Sequence, residues 1–168
     1  MTADGRRVDV PAYTRWWLSG QPVLSGGRPG TLRLPDATEL AGLYDVASDV
    51  DPELAALLGC RAALADVLAD PGAAAELLDR LGDPARTVPP GVLGGLYAAL
   101  AGALAGVDVD PPARVRVAPD RVVAAERVVV LDAPWLLDRL GDRSAVGGGA
   151  DPVAVAELLD VPLLSELD

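Results

Sequence analysis

The sequence contains no histidine, lysine, asparagine, phenylalanine or isoleucine, and it has one cysteine, Cys60, and one glutamine, Gln21. General acid–base catalysis near neutral pH most often uses an imidazole, and Ser-His-Asp and Cys-His pairs both require one. Without lysine, the chain cannot form a Schiff base or contact a nucleotide phosphate as a P-loop does. A zinc site built from histidine and cysteine is excluded as well. These absences indicate a folded protein that is not an enzyme and has no cofactor.

The lone Cys60 excludes an internal disulfide and is typical of the reducing cytoplasm. We expect this thiol to be buried and inert. The N-terminal residues carry Asp4 and Asp9 around a pair of arginines, without the apolar run of a signal peptide. A cytoplasmic location is therefore predicted, and the missing residue types favour a high-GC bacterial gene.

Charge and hydropathy narrow the choice of partners. The 168 residues include 14 basic side chains, all arginine, and have a net charge of −11. Binding a nucleic-acid backbone requires a basic face, so no nucleic-acid partner is expected. The longest apolar run, about residues 92–107, is shorter than the roughly 20 residues that span a bilayer, so no membrane contact is expected either. Half of the residues are apolar, which is enough for a real core.

Helix starts are well marked. Four Asp-Pro pairs, each an Asp N-cap followed by Pro at the first helical position, begin at Asp51, Asp70, Asp83 and Asp151. Asp36 with Glu39 three residues later resembles a capping box. Together with the apolar spacing, these signals predict short helices near residues 11–19, 37–45, 52–58, 62–69, 72–81, 90–105, 134–140 and 152–159. The predicted helix at 90–105 is small and apolar around most of its circumference, so we expect a central helix buried on nearly all sides.

The residue pattern changes after residue 110. Residues 114–117 alternate as a strand does, Pro119-Asp120 indicates a turn, and residues 121–123 and 127–131 are rich in valine. This pattern predicts a small antiparallel hairpin or meander over about 114–131. The predicted fold is therefore α+β and predominantly helical.

The predicted domain organisation has four parts. These are a helical region at 1–110, a hairpin plus helix at 111–142, a glycine-rich linker at 143–150 and a C-terminal helix at 151–168. We expect them to form one globular unit or a fragment of a larger protein.

Four stretches of sequence resemble sacsin-type proteins. Residues 112–136 give a strand, a Pro-Asp turn and a second strand, and then Asp132-Ala133-Pro134-Trp135 opens a helix, as in a recurrent segment of that family. The tail, residues 151–167, resembles the segment that follows it, with Asp160 standing where the family has glycine. Residues 13–18 and 57–83 look like regions of large actinobacterial sacsin-like proteins.

The resemblance implies a protein associated with an ATPase of the heat-shock-chaperone type, which has the GHKL nucleotide fold. That site uses an asparagine to hold magnesium and has an Asp-x-Gly-x-Gly loop, and both are missing from this chain. The resemblance therefore implies a non-ATPase region. Its expected partner is a protein, either the ATPase domain of the same protein or a client.

The candidate site residues come from this resemblance and from the tryptophans. Asp132, Pro134 and Trp135 form the family motif, and we interpret them as structural: Trp135 as a core anchor and Asp132 as an N-cap or a partner for a nearby backbone donor. Trp16 and Trp17 are adjacent on one short helix, so one of them is expected to point inward and the other to be free for a partner contact.

Four carboxylates near a turn, at Asp45, Asp49, Asp51 and Glu53, lack the spacing of a calcium loop, and no metal site is predicted. The sequence thus favours a non-catalytic scaffold or interaction module of a sacsin-like, chaperone-type ATPase protein. An independent module that binds a small ligand or a protein is the alternative. A hydrolase that uses carboxylates alone is the third reading, although no spacing selects a pair of them.

Overall fold

The computed structural model describes residues 11–22, 24 and 27–167. Its mixed α+β architecture is dominated by helices, which confirms the predicted fold class. The chain divides into two compact units, Met1–Asp66 and Val67–Asp168, and not near residue 110 as predicted. Residues 1–10, on which the signal-peptide argument rests, lie outside the described residues. None of the described helices is long and apolar enough to cross a membrane.

The first unit is built from short elements. In chain order they are α1 (Ala12–Ser19), a 3-10 turn (Pro29–Thr31), β1 (Leu32–Arg33), a second 3-10 turn (Thr38–Leu40), β2 (Asp45–Val46), α2 (Pro52–Leu58) and α3 (Leu64–Ala69), in which the boundary between the units lies. Strands β1 and β2 pair in parallel. A small core forms around Ala47, Ala55 and Cys60, against which four partly buried residues pack: Leu24, Leu32, Leu34 and Val50.

Local sequence determines how α2 begins and ends. Asp51 accepts hydrogen bonds from the backbone N–H groups of Glu53 and Leu54, at 3.0 and 3.2 Å, so the predicted cap is confirmed. Gly59 ends the helix with φ of +102°, and a Cβ there would lie 2.8 Å from the Cβ of Ser19. Glycine is therefore needed at position 59 both for the turn and for the close approach of α1.

The second unit contains longer elements. They are α4 (Pro71–Leu81), α5 (Leu93–Ala103), β3 (Arg114–Ala118), β4 (Arg121–Ala124), a 3-10 turn (Ala125–Arg127), β5 (Val128–Leu131), a 3-10 segment (Pro134–Arg139), β6 (Ser144–Gly147), α6 (Pro152–Leu159) and a last 3-10 turn (Leu164–Glu166). Strands β3 and β4 form the predicted antiparallel hairpin, whereas β5 pairs in parallel with β6. Three consecutive valines of β5 are fully buried, and leucines of α4, α5 and α6 contribute to the core.

A buried arginine joins the hairpin to the helices of this unit. Arg116 has no exposed surface, and its guanidinium donates to three backbone carbonyls: Nε to Leu81 at 3.1 Å, Nη2 to Asp83 at 2.7 Å and Nη1 to Pro119 at 2.9 Å. The backbone N–H of Arg116 also donates to the hydroxyl of Tyr97 at 2.8 Å. A fully buried charge is tolerated when its donors are satisfied in this way.

Two further predictions about elements are wrong. The helix predicted at 37–45 is reduced to the 3-10 turn Thr38–Leu40 without a side-chain cap, so the capping box of Asp36 and Glu39 does not form. Gly42 follows with φ of +80°, a conformation that ends a helical path. Asp83 likewise caps no helix, because its side chain accepts from the N–H of Ala85 within a turn.

The predicted linker at 143–150 is also wrong, because Ser144–Gly147 forms β6. The glycines after it are closely packed: a Cβ on Gly148 would lie 2.4 Å from Pro152, and one on Gly149 would lie 2.6 Å from Ala98. The glycine triplet therefore serves a close approach of chain segments and not flexibility. Residues 151–168 accordingly belong to the second unit and are not a separate domain.

The helix predicted at 90–105 exists as α5, but it is not buried on nearly all sides. Leu96, Tyr97 and Leu100 face the core. Gly94, Gly95 and Gly102 are exposed, and a Cβ on any of them would meet nothing within 4 Å. One face of α5 is therefore open.

Candidate interaction surface

The candidate residues Asp132, Pro134 and Trp135 lie at the end of β5, where a 3-10 segment begins. The backbone N–H of Val130 donates to the carbonyl of Pro162 at 2.9 Å, which sets the C-terminal tail beside β5. Two residues further on, Asp132 accepts the backbone N–H of Ser165 at 3.0 Å and also the Ser165 hydroxyl. The prediction that Asp132 is a partner for a backbone donor is confirmed, although the donor is 33 residues away in the chain.

These contacts also influence the charge of Asp132. The hydrogen bond from the Ser165 hydroxyl, supported by the Ser165 backbone N–H, lowers the pKa of Asp132 below its ordinary value. The carboxylate is thus stabilised in its ionised form, as an acceptor. A hydrolase that uses two carboxylates needs a general acid whose pKa is raised, so Asp132 does not suit that role.

The 3-10 segment Pro134–Arg139 is held at both ends. At its start, Asp132 binds the tail as described. At its end, Nη1 of Arg139 donates to the carbonyl of Leu167 at 3.0 Å. Within the tail, the carboxylate of Glu166 accepts the N–H of Leu163 at 2.9 Å and so fixes the last turn. The segment therefore has a defined position on the second unit.

Trp135 lies on this held segment and is 79% exposed. Its interpretation as a core anchor is wrong. Ala133, one position before Pro134, and Leu164 of the last turn are the buried residues of this region, and the turn that Pro134 begins leaves the indole outside. Leu137 is 49% exposed on the same segment. We call Pro134, Trp135 and Leu137 the Trp135 surface.

A second set of exposed aromatic side chains lies on α1, in the first unit. Trp16 is 69% and Trp17 51% exposed, and the ring of Tyr13 lies 5.9 Å from that of Trp16. The expectation that one of the two tryptophans points into a core is wrong for the described residues, because α1 has no buried residue. Both remain candidates for a partner contact.

The other candidate residues have structural explanations. Cys60 is buried, and burial raises the pKa of its thiol, which is the inert state expected from the sequence. Asp51 is occupied as the cap of α2. Among the described residues, no group of three or more acidic or cysteine side chains is arranged to hold a metal ion.

Sequence reasoning missed three residues of the region: Leu137, Arg139 and Ser165. Ser165 and Arg139 act across 33 and 28 residues of sequence, and no local pattern reports contacts of that range. In the sequence, Leu137 lies in a run that resembles an ordinary apolar helix, whereas the structure leaves it 49% exposed on a kinked 3-10 segment.

No family model, no curated protein and no solved structure matches this chain. The resemblance to sacsin-type proteins therefore stays a prediction.

Proposed function

We propose that the chain is a non-catalytic interaction module of a sacsin-like, chaperone-type ATPase protein, and that the Trp135 surface contacts a protein partner. The partner is an unfolded client or the ATPase domain of the same protein. The observation that carries the proposal is the 79% exposure of Trp135 on a segment fixed at both ends. The proposed module needs no cofactor and binds neither nucleic acid nor membrane.

The energetics support a contact role for this indole. Covering roughly 200 Å² of aromatic surface contributes about 5 kcal/mol before ordering costs, and tryptophan is the residue most enriched at interface hot spots. Because the backbone around Trp135 is already held, little further ordering of the segment is needed on binding. A single exposed apolar side chain is common on a protein surface, so the support comes from the position of Trp135 on a held segment beside the exposed Leu137.

The placement of the two segments that carry the family resemblance supports the chaperone part of the proposal. Residues 112–136 and 151–167 both belong to the second unit and are joined through Val130, Asp132 and the tail. The motif and the tail therefore act as one substructure, which presents Trp135. The chain lacks the asparagine and the glycine loop of the ATPase site, so nucleotide hydrolysis is assigned to a partner domain.

Binding to an unfolded model client tests the contact. Reduced, carboxymethylated ribonuclease A, titrated into the chain by calorimetry, is expected to bind with Kd of about 10 μM, equivalent to roughly −7 kcal/mol. Trp135→Ala should weaken binding at least about tenfold while leaving the free energy of unfolding within about 0.5 kcal/mol, as surface changes do.

The chain offers a matched pair of control variants. Leu137 and Leu54 are 49% and 48% exposed, and Leu54 lies on α2 of the first unit. Leu137→Ala should weaken client binding, whereas Leu54→Ala should leave it unchanged. Equal effects of the two substitutions, or no binding by the parent chain, would contradict the client contact.

The full open reading frame and the neighbouring genes test the family assignment separately. We expect a GHKL ATPase domain in the same polypeptide or in an adjacent gene. If neither encodes one, the chaperone assignment fails, while the binding data still decide whether the Trp135 surface is a contact.

A further inference from the structure

We propose a second binding site, independent of the Trp135 surface: a cleft between the end of α5 and α6 that takes an arginine or lysine side chain from an apolar segment of a partner protein. The cleft encloses about 470 Å³ and lies wholly within the second unit. Its size fits one long side chain with an apolar neighbour. Nothing in the proposed function requires this cleft.

Most of the residues that line the cleft are apolar. Ala101 and Leu104 come from α5 and its end, Val107 and Val109 from the connection that follows, and Leu158 from α6. Such walls suit the methylene stem of a long basic side chain, which packs along apolar surface while its charged head stays near water.

The polar groups of the cleft all favour a cation. Glu157 and Asp160 line the cleft. Arginine is the sole basic residue type in the sequence, and none of the described residues that line the cleft is an arginine. Neither carboxylate forms an ion pair within residues 27–167. The C-termini of α5 and α6 both end at the cleft, and helix C-termini carry partial negative charge.

Asp160 has a left-handed backbone conformation, which Asp and Asn adopt more often than most other non-glycine residues. It is the C-cap of α6 with φ of +52°, and it is the sole non-glycine residue with positive φ among the described residues. Glycine is the usual residue in this conformation. Asp160 is therefore a cleft residue at a backbone position that glycine would fill without strain.

The occupant we infer follows from charge complementarity. An apolar cleft with two unpaired carboxylates, two helix C-termini and no cation would repel an acidic segment and attract a basic, apolar one. The net charge of −11 attracts cations everywhere on the chain, so the test must separate this cleft from the whole molecule.

The probe is a short fluorescein-labelled peptide of alternating leucine and arginine, with citrulline in place of arginine as the neutral control. Fluorescence anisotropy at moderate ionic strength should give micromolar binding for the arginine peptide and at least about tenfold weaker binding for the citrulline peptide. Asp160→Asn and Glu157→Gln should each weaken binding of the arginine peptide about fivefold.

Two further variants separate the cleft from general charge and from folding. Glu126→Gln, on the exposed turn Ala125–Arg127, makes the same change in net charge and should leave binding unaltered. Asp160→Gly should raise the midpoint of chemical denaturation and yet weaken binding as much as Asp160→Asn does. The proposal is overturned if Glu126→Gln weakens binding equally, if both peptides bind alike, or if Asp160→Gly binds as tightly as the parent chain.

Discussion

At the scale of single residues, Arg116 links the elements of the second unit. Its guanidinium supplies the donors for the carbonyls of Leu81, Asp83 and Pro119, which belong to the end of α4, the following turn and the hairpin turn. The carbonyls of Asp83 and Pro119 also accept backbone N–H groups, from Arg86 at 3.1 Å and from Val88 at 3.0 Å. A side chain without donors would therefore leave the carbonyl of Leu81 without its partner, and an unsatisfied buried group costs about 1–3 kcal/mol.

We therefore expect Arg116→Met to lower the free energy of unfolding by about 1–3 kcal/mol, because methionine fills similar space without donors. The free energy of unfolding of Arg116→Lys should lie between those of the parent chain and of Arg116→Met, since one ammonium group cannot reach three carbonyls as the guanidinium does. Chemical denaturation measures both. A loss below about 0.5 kcal/mol for Arg116→Met would show that these hydrogen bonds do not stabilise the unit.

Tyr97 gives the fold a dependence on alkaline pH. Burial raises the pKa of its hydroxyl to about 12, against an ordinary value of 10. Because the unfolded chain loses this proton first, stability is complete below pH 10 and falls as pH rises from 10 to about 12. At about 1.4 kcal/mol per pKa unit, the loss approaches roughly 3 kcal/mol.

Denaturation midpoints measured across this pH range test the expectation, with Tyr97→Phe as the control. The phenylalanine variant should start less stable, because the N–H of Arg116 loses its acceptor, but should show a flatter decline above pH 10. Parallel declines in the two proteins would mean that another group causes the alkaline loss.

At the scale of elements, three of the described glycines fall into two physical classes. Gly95 and Gly102 lie on the open face of α5, where a Cβ would meet nothing, whereas Gly59 has positive φ and a Cβ there would collide with Ser19. Glycine in a helix interior costs about 0.5–1 kcal/mol relative to alanine when nothing else requires it.

Gly95→Ala and Gly102→Ala should therefore each raise the free energy of unfolding by about 0.5–1 kcal/mol. Gly59→Ala should lower it by more than 1 kcal/mol, through both the backbone conformation and the contact with Ser19. Thermal or urea denaturation of the three variants distinguishes the classes. Destabilisation by Gly95→Ala would mean that the face of α5 is not open.

Elements set by local chemistry could be predicted from the sequence. The caps at Asp51, Asp70 and Asp151 and the hairpin of β3 and β4 depend on neighbours a few residues away, and they formed as expected. Strand β6 could not be predicted in this way. It pairs in parallel with β5, and the 3-10 segment lies between the two strands in the chain. The glycines after β6 resemble a flexible linker in the sequence, and only the structure shows that they are closely packed.

In the candidate site, too, local features could be predicted from the sequence and packing could not. The motif Asp132–Trp135 was recognisable, and so was the role of Asp132 as an acceptor. The exposure of Trp135 was not, because an apolar aromatic residue beside a strand is most often part of a core. In the structure, Ala133 and Leu164 are the buried residues of this region, and Trp135 lies outside. This packing is not visible in the local sequence.

At the scale of the whole molecule, the described residues place exposed aromatic side chains on each of the two units, and these are candidate contacts and not core. We propose that Trp135, which is solvent-exposed in the free protein, becomes covered by an unfolded client.

The fluorescence of Trp135 tests this claim most directly. Trp16→Phe and Trp17→Phe leave it as the sole indole in the chain, and carboxymethylated ribonuclease A contributes none. We predict the emission of a water-exposed indole in the free chain, and a shift to shorter wavelength with reduced quenching by acrylamide as the client is added. Emission already typical of a buried indole in the free chain, or a spectrum unchanged by saturating client, would contradict the proposed contact of Trp135.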